Sequence, residues 1–177
     1  RVWSMFRLLG GENFDADKYL DYAMGYNLSG ELPLWIEPDH KITPKDVADV
    51  MRDHYEGTPM DMTQDIGAGG NVLPYRWRPM GFEWNGKSYL NERAIATQQT
   101  GFWFVAQSRP NLPDEVGALI WFGCDDAATS YLTPIYVSTK KVPTCLREGN
   151  GHLLRYSPTS QFWMCNRVTN ACYKMYD

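Results

Sequence analysis

The first apolar pattern, Val2-Trp3-Ser4-Met5-Phe6-Arg7-Leu8-Leu9, has helical spacing and is stopped by Gly10-Gly11, a pair suited to the left-handed residue that closes many helices. No capping residue precedes it. Residues 16 to 23 carry a weaker helical pattern. A clear helix is expected from residue 44 to about residue 55: Thr43 caps it, Pro44 suits the first helical position and Asp46 completes a capping box. Val47, Val50, Met51 and His54 or Tyr55 form its inward stripe, and Gly57 ends it. Residues 58 to 80, punctuated by Gly67, Gly69, Gly70, Pro74 and Pro79, read as loop.

The middle of the chain reads as β. Phe82-Glu83-Trp84 and Lys87-Ser88-Tyr89-Leu90 flank Asn85-Gly86, the strongest two-residue hairpin signal. Residues 100–107, 116–124 and 131–138 read as further strands. Ala118-Leu119-Ile120-Trp121-Phe122 is almost wholly apolar, so both its faces should be covered. A last helix starts at Ser157-Pro158, with Phe162, Cys165, Val168, Cys172 and Met175 along one face down to the end of the chain. Helices, then consecutive strands, then a helix, is the order of a layered α+β domain. Without a repeat, low-complexity tract or linker, residues 1–177 are expected to form a single domain. The first and last helices lack their outer caps, which reads as an internal piece of a longer chain.

Composition narrows the function classes. The 177 residues are 44% hydrophobic and 21% charged, an ordinary globular balance. The aromatic share is 14%, with seven Trp and eleven Tyr, enough to line a pocket as well as a core. A net charge of −4 without blocks of like charge argues against a nucleic-acid partner. No apolar run reaches the length of a membrane span. Cys165 and Cys172 lie seven apart in a predicted helix, roughly 10 Å between Cα atoms and too far for a disulfide. No Cys-x-x-Cys pair exists and the three His are isolated, so no metal site is expected.

Several segments carry candidate chemistry. Arg52-Asp53-His54-Tyr55-Glu56-Gly57-Thr58, followed by Asp61 and Asp65, holds carboxylates near a His, able to bind a cation or move protons; a charged helix end running into a solvated loop is the plainer reading. In Pro74-Tyr75-Arg76-Trp77-Arg78-Pro79, Arg76 could grip a carboxylate, or the segment is a structural corner. Asn91-Glu92-Arg93 and Thr97-Gln98-Gln99-Thr100-Gly101 place many polar side chains at a strand entry, which would be costly to bury without purpose. Here Arg93 and Asn91 are the candidates for polarising or orienting a reacting carbonyl. Asp125 and Asp126, in Gly123-Cys124-Asp125-Asp126-Ala127, are candidates for holding a substrate ammonium. Cys124 reads as a packed thiol, since no motif sets a His beside it.

His54-Tyr55-Glu56-Gly57-Thr58, Pro74-Tyr75-Arg76-Trp77-Arg78-Pro79, Asn91-Glu92-Arg93-Ala94 with Thr97-Gln98-Gln99-Thr100-Gly101, and Trp121-Phe122-Gly123 with Asp125-Asp126-Ala127 follow in order. Together they resemble the dipeptidase A (PepD-type) family of cysteine dipeptidases, relatives of the secernins, over essentially the whole chain. The resemblance implies an αββα N-terminal-nucleophile hydrolase sandwich, of which this chain is the middle region, truncated at both ends. It also implies bacterial-type dipeptide hydrolysis by thiol acyl transfer. In such families a processed amino-terminal Cys attacks the carbonyl, its own α-amine serving as base. That Cys lies upstream of Arg1, so the chain alone is expected to be inactive. Where the family has Gly-Asn before the Pro of the Arg-Trp-Arg segment, this chain has Val72 and Leu73, with Asn71 two positions early; Asn71 is the candidate oxyanion donor. No cofactor is implied. The expected partners are a dipeptide and the remainder of the parent polypeptide, with homo-oligomers compatible and the compartment, cytoplasmic or exported, left open. Two other readings stand beside this one: an amide hydrolase of the penicillin or bile-acid acylase type, and a non-catalytic peptide-binding module.

Overall fold

The computed structural model describes residues 1–76, 81–90 and 93–176. It is mixed helix and sheet, the α+β class expected. Helix α1 spans Val2–Gly10 and buries Trp3, Ser4, Phe6 and Gly10. Trp3 and Phe6 pack with Phe14 into one apolar cluster. The weak helical pattern resolves into a 3-10 turn, Asp17–Tyr19, and one turn of helix, α2, Leu20–Ala23.

Helix α3 is Pro44–Met51 and begins with the expected capping box. Thr43 Oγ1 accepts from the Asp46 backbone N–H at 3.3 Å, and the Asp46 carboxylate accepts from the Thr43 N–H at 2.7 Å. The helix stops four residues short of the expected end. The His54 backbone N–H is taken by the Glu56 carboxylate at 2.7 Å, a local bond that competes with helix continuation. Tyr55 then adopts a left-handed φ of 66°.

Strands β1, Gly81–Trp84, and β2, Lys87–Leu90, form the hairpin. Asn85 and Gly86 both have positive φ, as a type I′ turn requires. β3 (Phe102–Ser108), β4 (Ala118–Cys124) and β5 (Thr133–Tyr136) form an antiparallel sheet in that order. A single turn of helix, α4 (Asp114–Gly117), enters β4.

On the inner face Trp103 and Val105 pack with Ala48 of α3 and with Ala127. Trp103 faces Gly123 across the β3–β4 pair. A Cβ at that glycine would lie 2.5 Å from the Trp103 indole nitrogen, so the ring's position there excludes any side chain. The outer face departs from expectation. Phe102, Phe104 and Ile120 are 62%, 51% and 42% exposed. The apolar run of β4 is therefore covered on one side only: α3 serves the inner face, and no described element lies over the outer one.

Helix α5, Gln161–Cys172, closes the described chain. It starts later than expected, because Ser157 and Pro158 form a turn in which the Ser160 N–H reaches the Ser157 carbonyl. Its inward residues are Gln161, Cys165 and Thr169, whereas Val168 and Met175 are exposed. The stripe is polar because its neighbours are polar. Gln161 accepts from the Thr133 hydroxyl at 3.2 Å and donates to the Tyr131 carbonyl at 3.3 Å.

Candidate active site

The first part of the turn that follows α3, Asp53 to Tyr55, is buried, whereas Glu56, Gly57 and Asp65 are exposed, so the solvated-loop reading fits only the later part of that segment. Asp53 is 7% exposed and His54 is fully enclosed. The Asp53 carboxylate accepts from the Ser4 hydroxyl at 2.6 Å and lies 3.8 Å from the Arg7 guanidinium. Burial pushes its pKa up, against the lowering effect of Ser4 and Arg7. The His54 ring presents Nδ1 to Glu56 at 3.1 Å, which assigns the proton to that nitrogen as donor. Burial raises the Glu56 pKa, but the bonds from the His54 ring and backbone outweigh it, and the net shift is downward. Tyr75 and Tyr176 pack edge-on to the His54 ring at 5.7 and 5.6 Å. Among the described residues no group of three His, Cys, Asp or Glu gathers as a metal site.

The segment from Arg93 to Gly101 is irregular and lies against this turn. The Ala96 N–H donates to the Asp53 carbonyl at 3.1 Å, and the Tyr55 hydroxyl donates to the Arg93 carbonyl. The Gln98 amide donates to the Arg76 carbonyl at 2.5 Å. The Arg76 guanidinium pairs with Asp65 and donates to the carbonyls of Met62 at 3.3 Å and Leu73 at 3.1 Å, so it clamps its own loop. Arg93 differs. Its side chain is exposed, and among the described residues its guanidinium makes no hydrogen bond or ion pair. Arg76, Arg93, Thr97, Gln98 and Gln99 line a cavity of about 20 Å³, room for about one water.

Asp125 and Asp126 join the same region through the Asp125 N–H, which donates to the Gly101 carbonyl at 3.0 Å. They face different partners. Asp125 accepts from the Thr169 hydroxyl at 2.8 Å and the Asn166 amide at 3.3 Å, both on α5. Burial pushes its pKa up, opposed by those two bonds. Asp126 accepts from the Ala128 N–H at 3.2 Å through Oδ1, while its buried Oδ2 has no hydrogen bond among the described residues. The Tyr75 hydroxyl lies against this carboxylate without completing a bond of ordinary geometry. Burial first, and Asp126 second, push the phenol far above its usual pKa, so it stays neutral.

These contacts give a direct stability prediction. Asp125 has a left-handed φ of 68°, a conformation Asn adopts readily. Asp125→Asn should be near neutral, whereas Asp125→Ala, which removes the acceptor of the Thr169 and Asn166 bonds and puts Ala in a left-handed conformation, should lose about 1–3 kcal/mol. Because the folded-state pKa of Asp125 is raised, the charged form is disfavoured on folding, and this residue's contribution improves as pH falls through its folded pKa. The Asn variant should flatten that dependence in urea titrations run from pH 4 to 8.

The structure thus brings together four stretches far apart in sequence: His54 to Thr58, Tyr75 and Arg76, Arg93 to Gly101, and Asp125 with Asp126. Asn71 sits apart from them, exposed in the turn Ile66–Asn71, its carbonyl accepting from the Tyr176 N–H at 3.3 Å. Asn91, Glu92, Trp77, Arg78 and Pro79 lie outside the described residues. Sequence reasoning missed Ser4, Thr169 and Tyr176. Ser4 lies inside an apolar stripe and Thr169 on a helix read as apolar-faced, so neither gave a signal; the run of aromatics after Cys172 was the available hint for Tyr176. All four cysteines are free thiols, and one continuous helix separates Cys165 from Cys172. Burial, and then the nearby thiols Cys165 and Cys145, push Cys124 up to about 11, leaving little thiolate at neutral pH.

The description "Peptidase family C69" belongs to the family model that matches this chain, over residues 1–177. A protein of Lactococcus lactis subsp. lactis (strain IL1403) named "Probable dipeptidase B" is 26% identical over 135 residues, which is 76% of this chain and 24% of that protein. The matched stretch thus spans about a quarter of the curated relative's length. No solved structure matches the chain.

Proposed function

Because the chain belongs to peptidase family C69, we propose that the protein it is part of is a dipeptidase, and that this chain supplies part of the frame around the substrate. The observation that carries this reading is the whole-chain family match. The meeting in space of the four motif stretches that carry the family resemblance is consistent with it.

The reaction proposed is thiol acyl transfer. A cysteine outside this chain attacks the peptide carbonyl, the C-terminal amino acid leaves as the amine, and water hydrolyses the thioester. Cys124 does not serve, because its buried thiol is poorly ionised. The chain alone is therefore proposed to be inactive. Arg93, exposed and unpaired among the described residues, is the cation that meets and orients the substrate, with Asn91 near it in sequence. For the substrate's ammonium, Asp126 is the carboxylate with an unused oxygen, but it is fully buried against the Tyr75 hydroxyl and would have to be uncovered to reach a ligand, whereas Asp125 is held by α5. Arg76 and Asn71 are assigned to the frame, Arg76 because its guanidinium is already engaged.

The test is a steady-state assay of the complete polypeptide on free dipeptides and on N-acyl amides matched in side chain. Hydrolysis of dipeptides with little turnover of the acyl amides is expected; the reverse preference would place the protein with the acylases.

A further inference from the structure

A second and larger cleft, of about 590 Å³, adjoins Arg93. Its apolar wall is built from Trp3, Tyr22, Leu28, Leu32 and Met60, and the charged groups that line it are Arg1 and Arg93. Among the described residues no carboxylate lines it. That is selective in a chain with 21 acidic and 17 basic residues. The crevice near α3, by contrast, mixes Arg7 and Arg52 with Asp46, Asp49, Asp53 and Glu56. The Arg1 side chain is held by the Ala94 carbonyl at 3.0 Å, while the Arg93 guanidinium has no partner among the described residues. Leu28, at the rim, is 77% exposed.

An apolar wall whose described lining holds a guanidinium without a described partner and no carboxylate fits a ligand that is apolar at one end and carries one carboxylate. The volume suits a small organic molecule, and a guanidinium binds a carboxylate through two parallel hydrogen bonds. Building on the dipeptidase reading, we infer that this cleft receives the C-terminal residue of the dipeptide, its apolar side chain against Leu28, Leu32 and Met60 and its α-carboxylate on Arg93. In a dipeptide the scissile carbonyl lies one residue before that carboxylate. Anchoring the carboxylate therefore measures substrate length as well as orienting the bond, and it disfavours amidated substrates and those with an acidic C-terminal side chain.

The experiment compares Ala-Leu with Ala-Leu amide as substrates of the complete polypeptide, for the unaltered protein, Arg93→Ala, Arg93→Lys and Leu28→Asp. Both residues are exposed, and thermal midpoints confirm that each variant is folded. For Ala-Leu, Arg93→Ala should raise KM about 10-fold or more, the scale of losing a charge-assisted pair, with partial recovery in Arg93→Lys. For the amide it should change KM less than about twofold. Leu28→Asp should raise KM for Ala-Leu more than for Ala-Lys. Equal losses on acid and amide, or no KM effect, would overturn the carboxylate assignment while leaving the dipeptidase reading intact. Failure of the unaltered protein to hydrolyse either substrate, or any other dipeptide, would overturn the dipeptidase reading itself.

Discussion

Replacing Trp103 with alanine should destabilise the protein by about 3–5 kcal/mol, the largest single loss expected from its core. The indole is 3% exposed, packs with Ala48, Val105 and Ala127 between β3 and α3, and donates to the Ser130 hydroxyl at 2.8 Å. Its face also carries the Arg52 guanidinium, 5.5 Å from the ring centre. Arg52 in turn donates to the Ala127 carbonyl at 3.0 Å and the Ser130 carbonyl at 3.3 Å, tying the end of α3 to the segment after β4. Removing the ring opens a cavity and leaves Ser130 without its donor. Trp103→Phe should recover most of the packing but not the hydrogen bond, and so fall between. Urea denaturation of the purified variants measures this; a loss below about 1 kcal/mol for Trp103→Ala would mean that the packing of α3 on the sheet is not the principal core.

The second large effect is expected at Arg76. Its side chain is 11% exposed and bridges Asp65 and the carbonyls of Met62 and Leu73. Breaking a largely buried ion pair by removing one partner typically loses about 3–5 kcal/mol. The lower part of that range fits here, because Asp65 is 38% exposed and can be rehydrated. Gly67 also lies under this guanidinium, a Cβ there meeting Arg76 Nε at 2.7 Å, so the clamp and the glycine turn are one unit. Arg76→Ala should therefore shift the denaturation midpoint strongly and leave turnover per folded molecule of the complete polypeptide nearly unchanged. A large loss of turnover with a normal midpoint would return Arg76 to the substrate-binding role that its sequence context first suggested.

The elements legible in the sequence are those whose signals are local. Thr43 with Asp46, and Asn85 with Gly86, specify a cap and a turn through atoms within four residues of one another. The end of α3 was not legible, because it depends on the Glu56 carboxylate folding back to the His54 N–H and on Ser4 of another helix donating its hydroxyl to the Asp53 carboxylate. The inward face of α5 was misread for a related reason: apolar periodicity selected Phe162 and Val168, whereas the neighbours of the helix are Asp125, Thr133 and the Tyr131 carbonyl, which favour Gln161 and Thr169 inside. Of the candidate site, the motif stretches were visible as strings. Which side chains remain available to a substrate was not. Arg76 and Arg93 look alike in sequence, and only their partners in space separate a clamp from a cation without a partner among the described residues.

If this chain frames the substrate of a dipeptidase whose nucleophile lies outside it, Cys124 takes no part in the reaction. Dipeptide turnover by the complete polypeptide, measured side by side with its Cys124→Ala variant, tests it most directly. Hydrolysis of free dipeptides by both is expected, with rates per folded molecule within about twofold, since a buried and poorly ionised thiol is a weak nucleophile. Absence of dipeptide turnover in the complete polypeptide, or its abolition by Cys124→Ala in a folded protein, would rule out a dipeptidase with its nucleophile outside this chain.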